Sequence, residues 1–198
     1  MGKHIQWGLI LSLTLGIMVC HAAQEKLEGF DLQVKQWAEE CRQEVSGHFE
    51  QLLQSGKLTE AQAFDTFYIP IPNTSPQKYH TQYDRITDQA IQAILDKCLA
   101  KNDKIVFVVA VDTNGYLPTH NKKYSQQPTG NAEADLNNSR QKRIFNDRTG
   151  LSAAKNTDPF LLQRYSRDTG EMMADLSVPI MIRGKHWGAL RVGYKITK

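Results

Sequence analysis

Apolar residues recur at helical steps from Gln24 to Ser55, at Leu27, Phe30, Val34, Trp37, Cys41, Val45, Phe49, Leu52 and Leu53, and Gly56 follows as a stop. Spacings of three and four, sustained for about eight turns, predict one long amphipathic helix. A stripe of that length must be covered, either by the body of the domain or by a second copy of itself, so a homodimer through the N-terminal helix is one expected use. Thr59 and Gln62 have the spacing of a capping box that opens a short helix. Three prolines then fall within seven residues, at Pro70, Pro72 and Pro76. Proline fixes φ and removes donors, which predicts an ordered extended loop. A second helical stripe runs from about Thr81 to Lys101, through Tyr83, Ile86, Ala90, Ile91, Ile94, Leu95, Cys98 and Leu99.

The period changes at "IVFVVAV" (105–111), which is β-branched and apolar on both sides and reads as a central strand. Asn114-Gly115 predicts a tight turn after it, with a short extended return near Tyr116 to Pro118. Gln126 to Ser139 is rich in Gly, Asn, Asp and Pro and reads as an irregular loop. "KRIFNDRTG" (142–150) leads to a turn at Asn146-Asp147. The remainder reads as a meander with strands at about Phe160–Arg167, Glu171–Arg183 and His186–Ile196, turning at Asp168-Thr169-Gly170 and at Arg183-Gly184-Lys185. Helices first and an antiparallel sheet afterwards give an α+β order.

The first 23 residues have the layout of a secretory signal peptide: a basic start at Lys3 and His4, an apolar run from about Ile5 to Val19, and small residues around Ala22 and Ala23. The run is short of the ~20 apolar residues of a spanning helix, so an uncleaved anchor fits less well. "IMVC" is a poor lipoprotein box. The domains expected are therefore a signal at 1–23 and one domain at 24–198, with helices to residue 101 and the sheet from 102. Formal charge is +3 over 198 residues, about +2 without Lys3, and the Lys and Arg residues alternate with acids. That balance gives no nucleic-acid footprint. Export leaves two cysteines, Cys41 and Cys98, a disulfide pair in an oxidising compartment or two buried thiols acting as small apolar side chains.

"FDTFYIPIP", "DTNGYLPTHN", "KRIFNDRTG", "LLQRYSRDTGE" and "DLSVPIMIRGKHWGALRVGY" occur in that order. They resemble the periplasmic sensing domain of a group of bacterial methyl-accepting chemotaxis proteins, which is similar to single-Cache and PAS-like sensors. The resemblance runs from about Gln24 to the end. It implies a long N-terminal helix leading into a curved antiparallel sheet that cups a small ligand, with no catalysis and a periplasmic location. Receptors of that kind continue into a second span and a signalling coiled coil. The chain stops at Lys198, directly after the last strand, which points to a free-standing domain acting with a membrane receptor. The other expectation is an interaction or dimerisation module with a vestigial pocket.

Some sensors of this type hold covalent haem, which needs Cys-x-x-Cys-His. Neither "CRQEV" at Cys41 nor "CLAKN" at Cys98 supplies it, so no cofactor is expected. Non-covalent haem on a histidine is a minor alternative. His80, His120 and His186 have no metal spacing. Ser139, His120 and Asp147 could be named as a catalytic set, but no elbow, zinc or phosphate-loop string ties them together. The ligand-binding set expected is Tyr116, Thr119, His120 and Asn121 at the end of the central strand, Arg143 and Arg148 in "KRIFNDRTG", and Arg164 with Tyr165 in the meander. Arg forks match carboxylates, and Tyr gives a wall with a polar handle. Alternation in "FLLQRY" sends Leu161, Gln163 and Tyr165 to one face and Leu162 and Arg164 to the other.

Thiol titration with and without reductant tests the cysteine pair: two free thiols in protein kept oxidised throughout remove the bridge.

Overall fold

A computed structural model describes residues 26–166 and 172–196. The expected signal peptide and the Asp168-Thr169-Gly170 turn lie outside the described residues. The architecture is α+β. Helix α1 (Gly29–Gln54) leads, followed by a short α2 (Glu60–Ala63) whose Thr59 and Gln62 form the expected capping box. The proline-rich segment is a small hairpin, β1 (Ile69–Ile71) and β2 (Lys78–His80), where the sequence suggested an extended loop. Helix α3 (Asp84–Leu99) precedes strand β3 (Ile105–Asp112), and a two-stranded ribbon follows, β4 (Tyr116–Leu117) and β5 (Arg143–Ile144). Between them Lys122–Tyr124 is a 3-10 turn and Ala132–Asn138 is helix α4. Helix α5 (Arg148–Lys155) leads to β6 (Leu161–Ser166), β7 (Met172–Ile182) and β8 (Lys185–Lys195). The main sheet is antiparallel in the order β3-β8-β7-β6.

Two expectations need correction. The segment 126–139 was expected to be irregular, and it contains α4. Asn131 accepts the amide of Ala134 at 3.0 Å and caps the helix, while Asp135 gathers the amides of Thr129 and Gly130 at 2.7 and 3.0 Å. Seven residues are too few for periodicity to show. A turn was expected at Asn146-Asp147 with no helix after it, and Asp147 is the N-cap of α5, accepting the Gly150 amide at 3.0 Å.

Alternation along the strands gives the sheet two apolar faces. Val108, Ala110, Leu176, Val178, Leu190, Val192 and Tyr194 point to one side, into a core with Val34, Ala38, Val45 and Phe49 of α1 and Ile91 and Leu95 of α3. The stripe of α1 is therefore covered by the domain's own body. Cys41 and Cys98 meet at this helix pair, both buried and both free thiols; the Cys98 sulfur and burial push the Cys41 thiol well up. Val109, Val111 and Ala189 point to the other side, with Leu117 of β4, Ala154 of α5 and Phe145. A bulge between Ile105 and Phe107 turns Val106 and Phe107 together toward that second face. Gly193 makes room for it, since a Cβ there would lie 2.1 Å from the Phe107 ring.

Phe49 is fully buried, with ring centroids 5.0 Å from Trp187 and 6.3 Å from Tyr83. Truncating such an aromatic removes its buried contacts and leaves a void. Phe49→Ala is expected to lower unfolding free energy by about 3–5 kcal/mol in urea titration.

Candidate functional site

The second face of the sheet is only partly covered. Between it and the segment from Leu117 to Phe145 lies a cavity of about 750 Å³. Its floor is Val106, Phe107, Val109 and Val111 of β3. Leu117, Phe145 and Leu136 close the apolar side, and His120, Tyr124, Arg140, Arg143, Tyr165 and Arg191 supply polar groups.

The turn after β3 sets the height of the roof. Asp112 is buried, and its Oδ1 accepts the amides of Asn114 at 2.9 Å and Tyr116 at 3.0 Å. Its Oδ2 accepts the hydroxyls of Tyr68 at 2.8 Å and Tyr83 at 3.2 Å. Burial raises the Asp112 pKa, against the pull of these donors. Gly115 sits at φ +79°, and a Cβ there would lie 2.3 Å from the Phe145 carbonyl oxygen. Only glycine admits β5 so close at that backbone angle. β4 and β5 then pair at Tyr116–Ile144 and Leu117–Arg143, which sets Arg143 and Phe145 over the floor.

His120 is buried beside the Tyr124 ring (4.7 Å between centroids) and the Phe107 ring (6.3 Å). Its Nδ1 accepts the Asn121 amide at 2.7 Å. A nitrogen that accepts an N–H carries no proton, so in the neutral ring the proton sits on Nε2. Burial, with the nearby positive charges of Arg140, Lys123 and Arg143, lowers the pKa to about 3. The ring is thus held as a neutral Nε2–H donor.

Arg143 is half-buried, and its guanidinium stacks 4.9 Å from the centroid of Phe145, with Arg140 at 5.2 Å from the same ring. Its Nη1 makes a 3.4 Å contact with the Leu136 carbonyl. Burial and the Arg140 charge lower its pKa to about 10. Arg191 is 7% exposed, and its Nε lies 3.1 Å from Oδ2 of the fully buried Asp175, which Nη2 also meets. Burial opposes the Arg191 charge and the Asp175 carboxylate more than offsets it, leaving the guanidinium above its usual value.

Of the residues proposed from sequence, His120, Arg143 and Tyr165 line this cavity and five do not. Tyr116 points into the helix-side core, its hydroxyl 2.9 Å from both the Asp84 carboxylate and the Tyr79 carbonyl. Thr119 is buried at a second cleft of about 530 Å³ that Lys78, Asp88 and Gln141 also line. Asn121 is consumed by structure: its Oδ1 accepts the Val108 amide at 2.9 Å on the outer edge of β3, and its Nδ2 donates to Asp96 at 3.2 Å. Arg148 is exposed at the first turn of α5. Arg164 turns to the helix face and pairs with Asp31 of α1 at 2.7 Å, as strand alternation requires of the neighbour of Tyr165.

Sequence reasoning missed Phe107, Tyr124, Arg140, Phe145, Asp175 and Arg191. An available signal was a charge inside each of two otherwise apolar strands, "MMADLSV" and "WGALRVGY". Pairing them needs the register: Asp175 lies opposite Gly193 and Ser177 opposite Arg191, which makes Arg191 and Asp175 diagonal neighbours across β7 and β8. Among the described residues, no three His, Cys, Asp or Glu side chains are grouped to hold a metal ion.

No family model matches the chain, and no curated protein does either. Among solved structures it is similar to an extracellular ligand binding receptor from Desulfohalobium retbaense DSM5692, at 16% identity and a TM-score of 0.37, over 83% of this chain and 25% of that one. It is also similar to the ligand-binding domain of the Pseudomonas aeruginosa PAO1 amino acid chemoreceptor PctC in complex with GABA, at 16% identity and a TM-score of 0.33, over 82% of this chain and 58% of that one. The chain thus spans a quarter of the first and somewhat over half of the second.

The lowered His120 pKa has a definite sign. The unfolded chain takes up a proton near pH 6.5 while the folded chain resists until about 3, so the stability is full above 6.5 and is lost as pH falls through that window. His120→Gln is expected to flatten the fall in unfolding free energy between pH 6.5 and 3, by up to about 1.4 kcal/mol per pH unit. Urea titrations of both proteins across that range measure it.

Proposed function

We propose that this chain is an exported, non-catalytic sensory domain that binds a small molecule in the cavity between the β3–β8 face and the β4–β5 roof. The observation that carries the reading is the cavity itself. It is a concave space of about 750 Å³, apolar on its floor, with a few fixed polar groups, which is the usual composition of a small-molecule site. The receptor-like motifs of the sequence support the same reading. "DTNGYLPTHN" and "KRIFNDRTG" supply the roof, and "LLQRYSRDTGE" carries Tyr165 into the cavity wall. His120 has its Nδ1 tied to the backbone and is not poised as a base, which supports the non-catalytic part.

A route from the cavity to α1 is built into β6. Tyr165 lines the cavity, and the preceding Arg164 pairs with Asp31 in the first turn of α1, whose other carboxylate oxygen accepts the Tyr194 hydroxyl at 2.6 Å. A ligand that pulls the roof toward β6 would bias the seating of the helix start. The outward side of α1, where Leu32 is 54% exposed, is the surface left for a second copy of the chain or a membrane receptor. No helix among the described residues is long and apolar enough to cross a membrane.

Ligands that bind only the folded state stabilise it, by about 2.7 kcal/mol at a hundredfold excess over Kd. A thermal-shift screen of amino acids, organic acids and polyamines is expected to give at least one compound that raises Tm. A flat response across all three sets sinks the ligand-binding reading.

A further inference from the structure

The segment "YLPTHN" borders two separate spaces. His120 lines the cavity, and the preceding Thr119 lines the second cleft, of about 530 Å³, among α3, the β1–β2 hairpin and residues 118–142. The charged groups of this cleft are already engaged. Lys142 Nζ sits between Asp84, at 3.1 Å, and Asp88. Lys78 is 5% exposed and donates to the Ser139 and Gln141 carbonyls at 2.9 and 2.8 Å. The groups left over are neutral. Thr119 is 4% exposed, and its hydroxyl has no hydrogen bond to any described residue. A hydroxyl so far out of water is costly without a partner. His80 gives Nδ1–H to the fully buried Asp84 carboxylate at 2.9 Å, which leaves Nε2 of the neutral ring as an acceptor. Gln92 spends its Nε2 on the His120 carbonyl at 3.0 Å and keeps its Oε1. Gln141 is loosely held: its Nε2 is 3.4 Å from the Gln126 carbonyl, and its buried Oε1 meets no donor among the described residues. Ile71, Pro118 and Pro128 form an apolar wall beside these groups.

We propose that this cleft is a second ligand site, for a neutral polyhydroxylated molecule of monosaccharide or cyclitol size. Hydroxyls of the ligand meet Thr119 Oγ1, His80 Nε2 and the Gln92 and Gln141 amides, and its C–H edges lie on the proline wall. A hydroxyl donates and accepts at once, so a ring of them answers a row in which hydroxyl, imidazole and amide groups are mixed. A cationic ligand would meet Lys78 and Lys142, and an anionic one would meet Asp88, in a space partly closed to water. The Gln141 amide has to turn to present its Oε1, and its long contact with Gln126 resists that turn little. The proposal does not rest on the cavity under the β4–β5 roof, since none of these side chains lines it.

Molar polyol stabilises any folded protein by exclusion from its surface, so thermal shift is unsuitable here. The test is titration calorimetry at millimolar concentration near neutral pH, with glucose, myo-inositol and sorbitol as the neutral probes. N-methylglucamine and gluconate are the cationic and anionic counterparts of sorbitol, and serine is a zwitterion with a hydroxyl. At least one neutral probe is expected to bind saturably, and at least tenfold more tightly than the three charged ones. Thr119→Val keeps the shape and removes the hydroxyl. It should leave the Tm of the ligand-free protein within a degree or two, or raise it, and weaken binding at least tenfold. Gln141→Leu should weaken binding severalfold. Should Thr119→Val fail to fold, NMR titration of the unaltered chain takes its place: the amides of His80, Thr119 and Gln141 must shift more than those of Val109 and Phe145. Absence of saturable binding by all three neutral probes overturns the proposal. So does N-methylglucamine, gluconate or serine binding as tightly as the best neutral probe. A folded Thr119→Val protein with unchanged affinity, or shifts centred on Val109 and Phe145, overturns it as well.

Discussion

The structure turns on one buried carboxylate. Asp112 ends the central strand and is the common acceptor for two backbone amides of the following turn and two tyrosine hydroxyls from the helical half. A buried carboxylate is costly unless hydrogen bonds surround it, so these donors offset part of the burial penalty that raises the Asp112 pKa, and Asp112 in turn holds them in place. The turn fixes where β4 starts, and β4 fixes β5. The β4–β5 ribbon decides how far Arg143 and Phe145 stand from the sheet. On the other side, Tyr68 and Tyr83 tie the strand end to the hairpin and to the start of α3. The height of the cavity and the seating of the helical layer are therefore set at one point.

The two faces of the sheet solve different problems. The helix side is filled with hydrocarbon from α1, α3, β7 and β8, and two of the large polar side chains at it are tied down: the Tyr116 hydroxyl to Asp84, and Trp187 Nε1 to the Ala63 carbonyl at 2.8 Å. The open side keeps an ion pair, Arg191 with Asp175, embedded in strands that are otherwise apolar. A buried pair of this kind is weak support for stability, because two apolar side chains of similar volume serve a core as well or better. Its retention on the face with the cavity is understandable if it presents a guanidinium there. Small residues complete the arrangement: Gly193 makes room for Phe107 on the floor, and Gly115 admits the Phe145 backbone under the roof.

β6 links the two faces. Its alternation places Tyr165 at the cavity and Arg164 against Asp31 of α1, one residue apart on a single strand. Arg164 is substantially exposed, so the ion pair itself contributes little. The link depends more on the Tyr194 hydroxyl, which meets the same Asp31 from β8. Tyr165 and Arg164 are consecutive residues, so the backbone of β6 itself joins the cavity wall to the Asp31 site.

Periodicity determined a great deal here. The helical steps of α1 and α3, the apolar run of β3, the Asn114-Gly115 and Arg183-Gly184 turns and the strand alternation that separates Tyr165 from Arg164 are all local properties of the chain, and local sterics and amphipathicity enforce them. The same local reading failed for α4, where seven residues show no period, and for Asn121 and Tyr116, whose partners Val108, Asp96, Asp84 and Tyr79 come from other elements. It could not know which half of "YLPTHN" would be spent on the fold. Only the tertiary structure brought Arg191 and Asp175 together, through the register of β7 on β8, and only the closure of β4 on β5 set Arg143 over Phe107. Side chains far apart in sequence meet by register and packing. The chain encodes both, but no short stretch of it displays them.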